Sequence, residues 1–366
     1  MQAVHAIAVI KTSGSGKEGT DLGTMKRRAG FRVFAYLFTF IVILYVAVFM
    51  NTPYIVYQPG SASEVAPMIK VENADPEEKG VFMMTTVSAS YANVALLVAS
   101  LFNPNSEIIS KETRLQDKTV QEYAAQQVYY MSSSQSSAVE SAYRAAGVPY
   151  ADVIDYLFVF SVPDTANKGQ FKPGDKIISV DGKTVPDPAA LSTLLSGYHV
   201  GDKVTVRLHR GDKELSEQVA LVEVKDKADS PARPGLGVMI GAVQKVEPEQ
   251  KGKAVSFAST DVGGPSAGLM FTLEIYNRLT PGDLTKGHRI AGTGTMDADG
   301  NVGAIGGVKH KIVAADRKHA EIFFVPEKNY EEAKKKADQI GTDMKLVKVK
   351  TLDDALAYLK ELPVTP

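Results

Sequence analysis

At 366 residues the chain exceeds what one hydrophobic core usually serves, so two or three domains are expected. Its 41 basic side chains balance 42 acidic ones, and a net charge of −1 supplies no field to attract a nucleic acid. With no cysteine, disulfides, thiolate metal sites and a cysteine nucleophile are excluded, and covalent chemistry would need another side chain.

Residues 1–30 are polar, with Gly and Ser clustered at 14–19, and read as a disordered cytoplasmic tail in which Met25 is an alternative start. The stretch SGSGKEGT lacks the first glycine of a phosphate loop and follows Lys17 with Glu18, so neither ATP nor any other cofactor is expected. Residues 31–50, FRVFAYLFTFIVILYVAVFM, are long and apolar enough for one transmembrane helix. Lys26, Arg27 and Arg28 precede it and no such cluster follows, which predicts a single-pass protein of the cell membrane, its N-terminus cytoplasmic and the rest outside.

Residues 51–150 then read as short strands followed by helices near 120–130 and 136–146, the second stopped by Gly147. In residues 151–224, YLFVFSV is a buried strand, Asp181-Gly182 a hairpin turn, and Asp187-Pro188 the start of a helix. FKPGDKIISVDGKTV carries a resemblance to PDZ domains of bacterial envelope proteases. Such domains take up peptide as an added strand, so the resemblance places a groove between residues 157–162 and 189–196, with Leu157, Val159, Leu191 and Leu195 facing it. Residues 225–234, KDKADSPARP, read as a linker to a last domain over 235–366.

In that last domain KAVSFAST runs through DVGGPSAG into LMFTLEIYNRL, whose apolar spacing predicts a helix. Ser266 thus stands at a strand-to-helix turn, where glycines allow close backbone approach and a helix end offers unpaired N–H groups. By itself this turn suits a nucleophile, an anion site or a packing corner equally. Downstream, GTGTMDADGNVGAIGGVKHKIVAADRKHAEIFFVP reads as a hairpin turning at Asp299-Gly300, a Gly-Gly bend, a helix and a buried strand.

That block resembles the proteolytic domain of the Lon family. The resemblance implies Ser266 as nucleophile in GPSAG, Lys311 as general base in IGGVKHK, and Thr293 beside the lysine. Gly264 and Pro265 are expected to support the oxyanion. Lys311 lies nearer the stripe Val308, Ile312, Ala315 than Lys309 does, and a base must be desolvated to lose its proton near neutrality. His288 and His310 are the imidazoles a triad would need. Where the family often has Asp-Gly-Pro-Ser, this chain has Gly263-Gly264-Pro265-Ser266, with Asp261 the nearest acid.

One membrane helix, a PDZ-like module and a Lon-like domain without an ATPase together resemble the YlbL-type family of bacterial membrane proteases. The expected fold is α+β, its proteolytic domain of the ribosomal protein S5 domain 2-like type, with strands between residues 54 and 89 completing the protease sheet. The expected activity is ATP-independent serine endopeptidase cleavage of unstructured or exported polypeptides by a Ser-Lys dyad, with no metal. Expected partners are polypeptides and the lipid bilayer, not nucleic acid or ATP; self-association stays open. The alternative is a membrane-tethered peptide-binding regulator whose protease-like domain is inactive.

Overall fold

The computed structural model of the protein describes residues 18–75, 79–163, 167, 169–225, 231–258 and 262–365. Of the tail expected to lack structure, residues 1–17 lie outside these, and Glu18–Phe49 is one helix that runs unbroken into the apolar stretch. Within it Phe31–Phe49 has a mean hydropathy of 2.2 and is not buried by the protein, so it is long and apolar enough to cross a bilayer.

A six-stranded sheet follows, in the order Lys345–Val349, Ile322–Pro326, Arg289–Gly292, Val81–Asn93, Asn51–Glu64, Glu107–Ser110. The first four are parallel neighbours and the last two pair antiparallel. Early and late segments of the chain therefore meet at the pairing of Val81–Met84 with Arg289–Gly292. Parallel strands need crossover helices, and these cover both faces. Period-two alternation along Val81–Asn93 sends Phe82 and Met84 into a core with Leu269, Phe271 and Leu273 of helix Gly268–Leu279. Met83 faces the other way, onto Val308 and Ile312 of helix Val308–Asp316. Phe82 is fully buried, and truncating it to alanine would cost about 3–5 kcal/mol.

A second sheet has the order Met239–Pro248, Tyr150–Ser161, Lys176–Val180, Lys203–Arg210, Lys213–Ala220, with Lys183–Thr184 beside the third strand. Asp181 (φ 47°) and Gly182 (φ 75°) make the hairpin turn, and Asp187 accepts a 2.7 Å hydrogen bond from Ala190 N as N-cap of helix Pro188–Leu195. Two boundaries differ from the sequence expectation. Met239–Pro248, expected within the last domain, pairs along its length with Tyr150–Ser161, because its mixed apolar pattern suits either sheet. Of the expected linker, residues 226–230 lie outside the described residues, and Arg233–Gly235 is a short strand paired with Val222–Val224.

The two helices expected over 120–130 and 136–146 are one, Val120–Ala146, opened by a Thr119–Glu122 capping box and closed by Gly147 at φ 68°. The run SSSQSS looks like a break because serine hydroxyls compete for the local backbone. Here Ser134 Oγ donates to Pro265 O at 2.9 Å, and Ser136 Oγ donates to Gln244 O at 2.6 Å as well as back to Ser132 O at 3.2 Å. The helix therefore lies between the sheets, with Tyr129 edge-on to Phe160 of the second sheet at 4.5 Å.

Candidate active site

The turn before helix Gly268–Leu279 is held from two sides. Gly263 lies so close to helix Val120–Ala146 that a Cβ there would stand 2.8 Å from Gln127 Cβ, so only glycine fits. Gly264, at φ 91°, donates its N–H to Gln127 O at 2.9 Å, and Pro265 O accepts from Ser134. On the far side Ser266 O accepts from Gly294 N at 2.9 Å and from Thr293 Oγ1 at 3.0 Å. The Ser266 side chain is thereby aimed from a turn fixed at every neighbouring carbonyl.

Lys311 reaches it from helix Val308–Asp316, whose N-cap Gly307 adopts φ 70° in the Gly-Gly bend. Its Nζ lies 2.8 Å from Ser266 Oγ, 2.8 Å from Thr85 O and 3.0 Å from Thr293 Oγ1. Only 3% of Lys311 is exposed, and burial pushes its amine down to about 7, as expected where the charged form loses its water.

The partners also set the direction of the lone pair. Thr85 O can only accept. The Thr293 hydroxyl spends its hydrogen on Ser266 O and so turns a lone pair toward the amine. A neutral Lys311 has two N–H bonds to give, one to each threonine, which leaves its lone pair facing the Ser266 hydroxyl. Lys309, two residues earlier, points elsewhere and pairs with Glu107 at 2.6 Å on a half-exposed surface.

Neither histidine approaches the serine. His310 is buried against Glu107 at 3.4 Å, and His288 lies between Glu321 and Pro363 O at 2.6 and 3.0 Å. Asp261 lies outside the described residues. The oxyanion role expected of Gly264 and Pro265 needs correction: the Gly264 N–H is already given to Gln127, and proline has none. Among the described residues, the N–H groups of Ser266 and Ala267 meet no acceptor, so the free donors begin at the serine itself.

Sequence reasoning missed Thr85, Gln127 and Ser134. Thr85 contributes a backbone carbonyl, which any residue could offer. It sits one residue beyond the parallel pairing with Arg289–Gly292 and at a register shift against Asn51–Glu64, between Pro59↔Val87 and Ala62↔Thr85. Such irregularities re-aim backbone groups next to functional sites.

The groove expected between residues 157–162 and 189–196 is not formed there. Leu157 and Val159 are fully buried, and their strand is paired on both edges. Leu191 and Leu195 do line a cleft, of about 310 Å³, between helix Pro188–Leu195 and the segment from Gly235 to Ile240. The strand at that cleft is Met239–Pro248, whose outer edge has no partner strand among the described residues.

Comparison with known proteins divides the chain in the same way. Residues 255–361 match the Lon protease (S16) C-terminal proteolytic domain and residues 147–221 match the PDZ domain, so the chain carries both. It is 30% identical to a Lon protease of Xanthomonas oryzae pv. oryzae over 151 residues, 41% of this chain and 17% of that protein. With a Lon protease of Campylobacter concisus it shares 37% over 94 residues, 25% of this chain and 11% of that one. The matched part thus spans less than a fifth of these relatives. Among solved structures, the PDZ domain of an SdrC-like protein from Listeria monocytogenes is 25% identical at a TM-score of 0.21, covering 24% of this chain and 87% of that one.

Proposed function

We propose that the protein is a membrane-anchored, ATP-independent serine endopeptidase in which Ser266 is the nucleophile and Lys311 the general base. The observation that carries this reading is the Lys311 amine, 2.8 Å from Ser266 Oγ in a pocket that pushes its pKa down to about 7. Neutral Lys311 takes the hydroxyl proton as Ser266 Oγ attacks the scissile carbonyl. The ammonium so formed is steadied by Thr85 O and Thr293 Oγ1, then returns the proton to the leaving amine. Ser266 N–H and Ala267 N–H are the donors left for the oxyanion. The acyl-enzyme is hydrolysed when Lys311 activates a water.

Polypeptide reaches this site extended, and the cleft beside Met239–Pro248 can hold such a segment by strand addition. The anchor is Phe31–Phe49 with its basic end inside, which puts both domains on the outer side of the membrane. The test is cleavage of an unfolded protein by the purified full chain beside Ser266→Ala and Lys311→Ala. Loss of turnover in both variants supports the pair. Equal cleavage by all three rejects it, and no cleavage by the wild type leaves a tethered peptide-binding regulator.

A further inference from the structure

The membrane helix is not the only apolar surface turned outward. Helix Val94–Leu101 reads VALLVASL and is followed by Phe102, nine residues without a charge. A helix apolar on all sides belongs inside a protein or in lipid. The rest of the chain covers only one side of this one and leaves the other open: Val98 is 51% exposed, Leu101 74% and Phe102 84%. Its one hydroxyl is turned inward, Ser100 Oγ donating to Leu96 O at 2.7 Å. Beside it opens a cleft of about 350 Å³ walled by Tyr54, Val94, Leu97, Val98, Leu101 and Ile108.

What should cover this surface follows from where it stands. Asn93 does two jobs: its Oδ1 accepts from Leu96 N at 2.8 Å as N-cap of this helix, and its Nδ2 donates to Val48 O at 2.8 Å in the last turn of Glu18–Phe49. The exposed helix is thus pinned to the point where the spanning helix ends. Around it lie exposed Tyr54 and Tyr91, with Lys111 Nζ 5.2 Å above the Tyr91 ring. Apolar tip, aromatic surround and a basic residue beyond form the sequence of chemistries found across the acyl and headgroup zones of a bilayer.

We infer that Val94–Phe102 is a second membrane contact, dipping into the outer leaflet beside the spanning helix and taking an acyl chain into the Tyr54–Ile108 cleft. This rests on Phe31–Phe49 spanning the bilayer, and it adds that the protease domain is seated on the lipid rather than hung from a single tether.

The chain contains no tryptophan, so one introduced residue reports alone. Full-length Leu101→Trp and, as control, Val200→Trp at an exposed position of the PDZ domain are reconstituted into phosphatidylcholine–phosphatidylglycerol vesicles with and without bromine in the upper acyl chains. Expected is flotation of both with the vesicles, strong bromine quenching and a blue shift for Leu101→Trp, and neither for Val200→Trp. An unquenched, red-emitting Leu101→Trp in protein that floats overturns the second contact while leaving the anchor intact. A blue-shifted but unquenched signal overturns it in favour of a second copy covering the helix. Protein that fails to float defeats the anchor and this inference together.

Discussion

The proposed catalytic pair and the proposed peptide cleft each lie between a helix and a strand, yet the lysine of the first is closed off while the second lies open. The Lys311 amine is closed in by Thr85 O, Thr293 Oγ1 and Ser266 Oγ, whereas the cleft at Gly235–Ile240 is open along the edge of its sheet. On the proposed function, the difference follows from what each must do. Burial in the first pushes the amine down to about 7, where it would serve as a base. The second must stay unpaired, because an incoming strand needs its free N–H and C=O groups.

If burial makes the base, replacing it should exchange activity for stability. Lys311→Met is expected to lower turnover of a peptide substrate at least about a thousandfold. The folded-state amine titrates below its unfolded value, so unfolding takes up a proton between pH 7 and 10.5 and the lysine weakens the fold most at and below pH 7. After allowing for the hydrogen bonds lost, Lys311→Met should raise stability by about 2 kcal/mol at pH 7, and the gain should fade toward pH 10.5. Urea melts at the two pH values measure both statements, and a variant less stable than wild type at pH 7 would count against a neutral, penalised lysine.

The same titration should govern rate. Below pH 7 the wild-type kcat/KM should rise about tenfold per pH unit and level off above it, since only neutral Lys311 can accept the serine proton. A flat profile from pH 5 to 9 would separate the lysine from the chemistry. Thr293 sharpens the point further. Thr293→Val should cut kcat about ten- to a hundredfold by removing the acceptor that aims the amine, with KM little changed, while Thr293→Ser keeps the hydroxyl and most of the rate.

The cleft should show the smallest effect, and in the other parameter. Ser192→Tyr, filling the wall opposite Ile240, should raise KM for a long unfolded protein about three- to tenfold and leave a short peptide substrate unaffected. Equal loss with both substrates would mean that the change disturbs the fold instead of the groove.

The two sites were unequally legible in the sequence for a related reason. Ser266 and Lys311 were singled out by the resemblance of GPSAG and IGGVKHK to the Lon proteolytic domain, because the turn alone suits a nucleophile, an anion site or a packing corner equally. Thr293 came with them. Thr85 acts through its carbonyl, and Gln127 holds Gly264 through another, and neither leaves a mark in residue identity. The groove was misplaced because alternation in YLFVFSV marks a buried strand but not which neighbours flank it. That Met239–Pro248 joins this sheet depends on a pairing made some ninety residues along the chain. Helix Val120–Ala146 was read as two, whereas Ser134 and Ser136 in its middle tie it to Pro265 and Gln244 far along the chain.

Strand Val81–Asn93 joins the end of the apolar helix to the Ser266–Lys311 site in one piece. Asn93 grips the end of helix Glu18–Phe49, and Thr85, eight residues back, accepts from the Lys311 amine. At about 3.3 Å per residue the strand works as a ruler of roughly 26 Å, and tilt can only shorten it. If helix Phe31–Phe49 spans the bilayer and the Ser266–Lys311 pair is catalytic, a neighbouring membrane protein would have to raise an unfolded tether to that height before it could be cut. The enzyme would then leave behind a stump of about eight extended residues, and peptide bonds closer to the bilayer would be out of its reach.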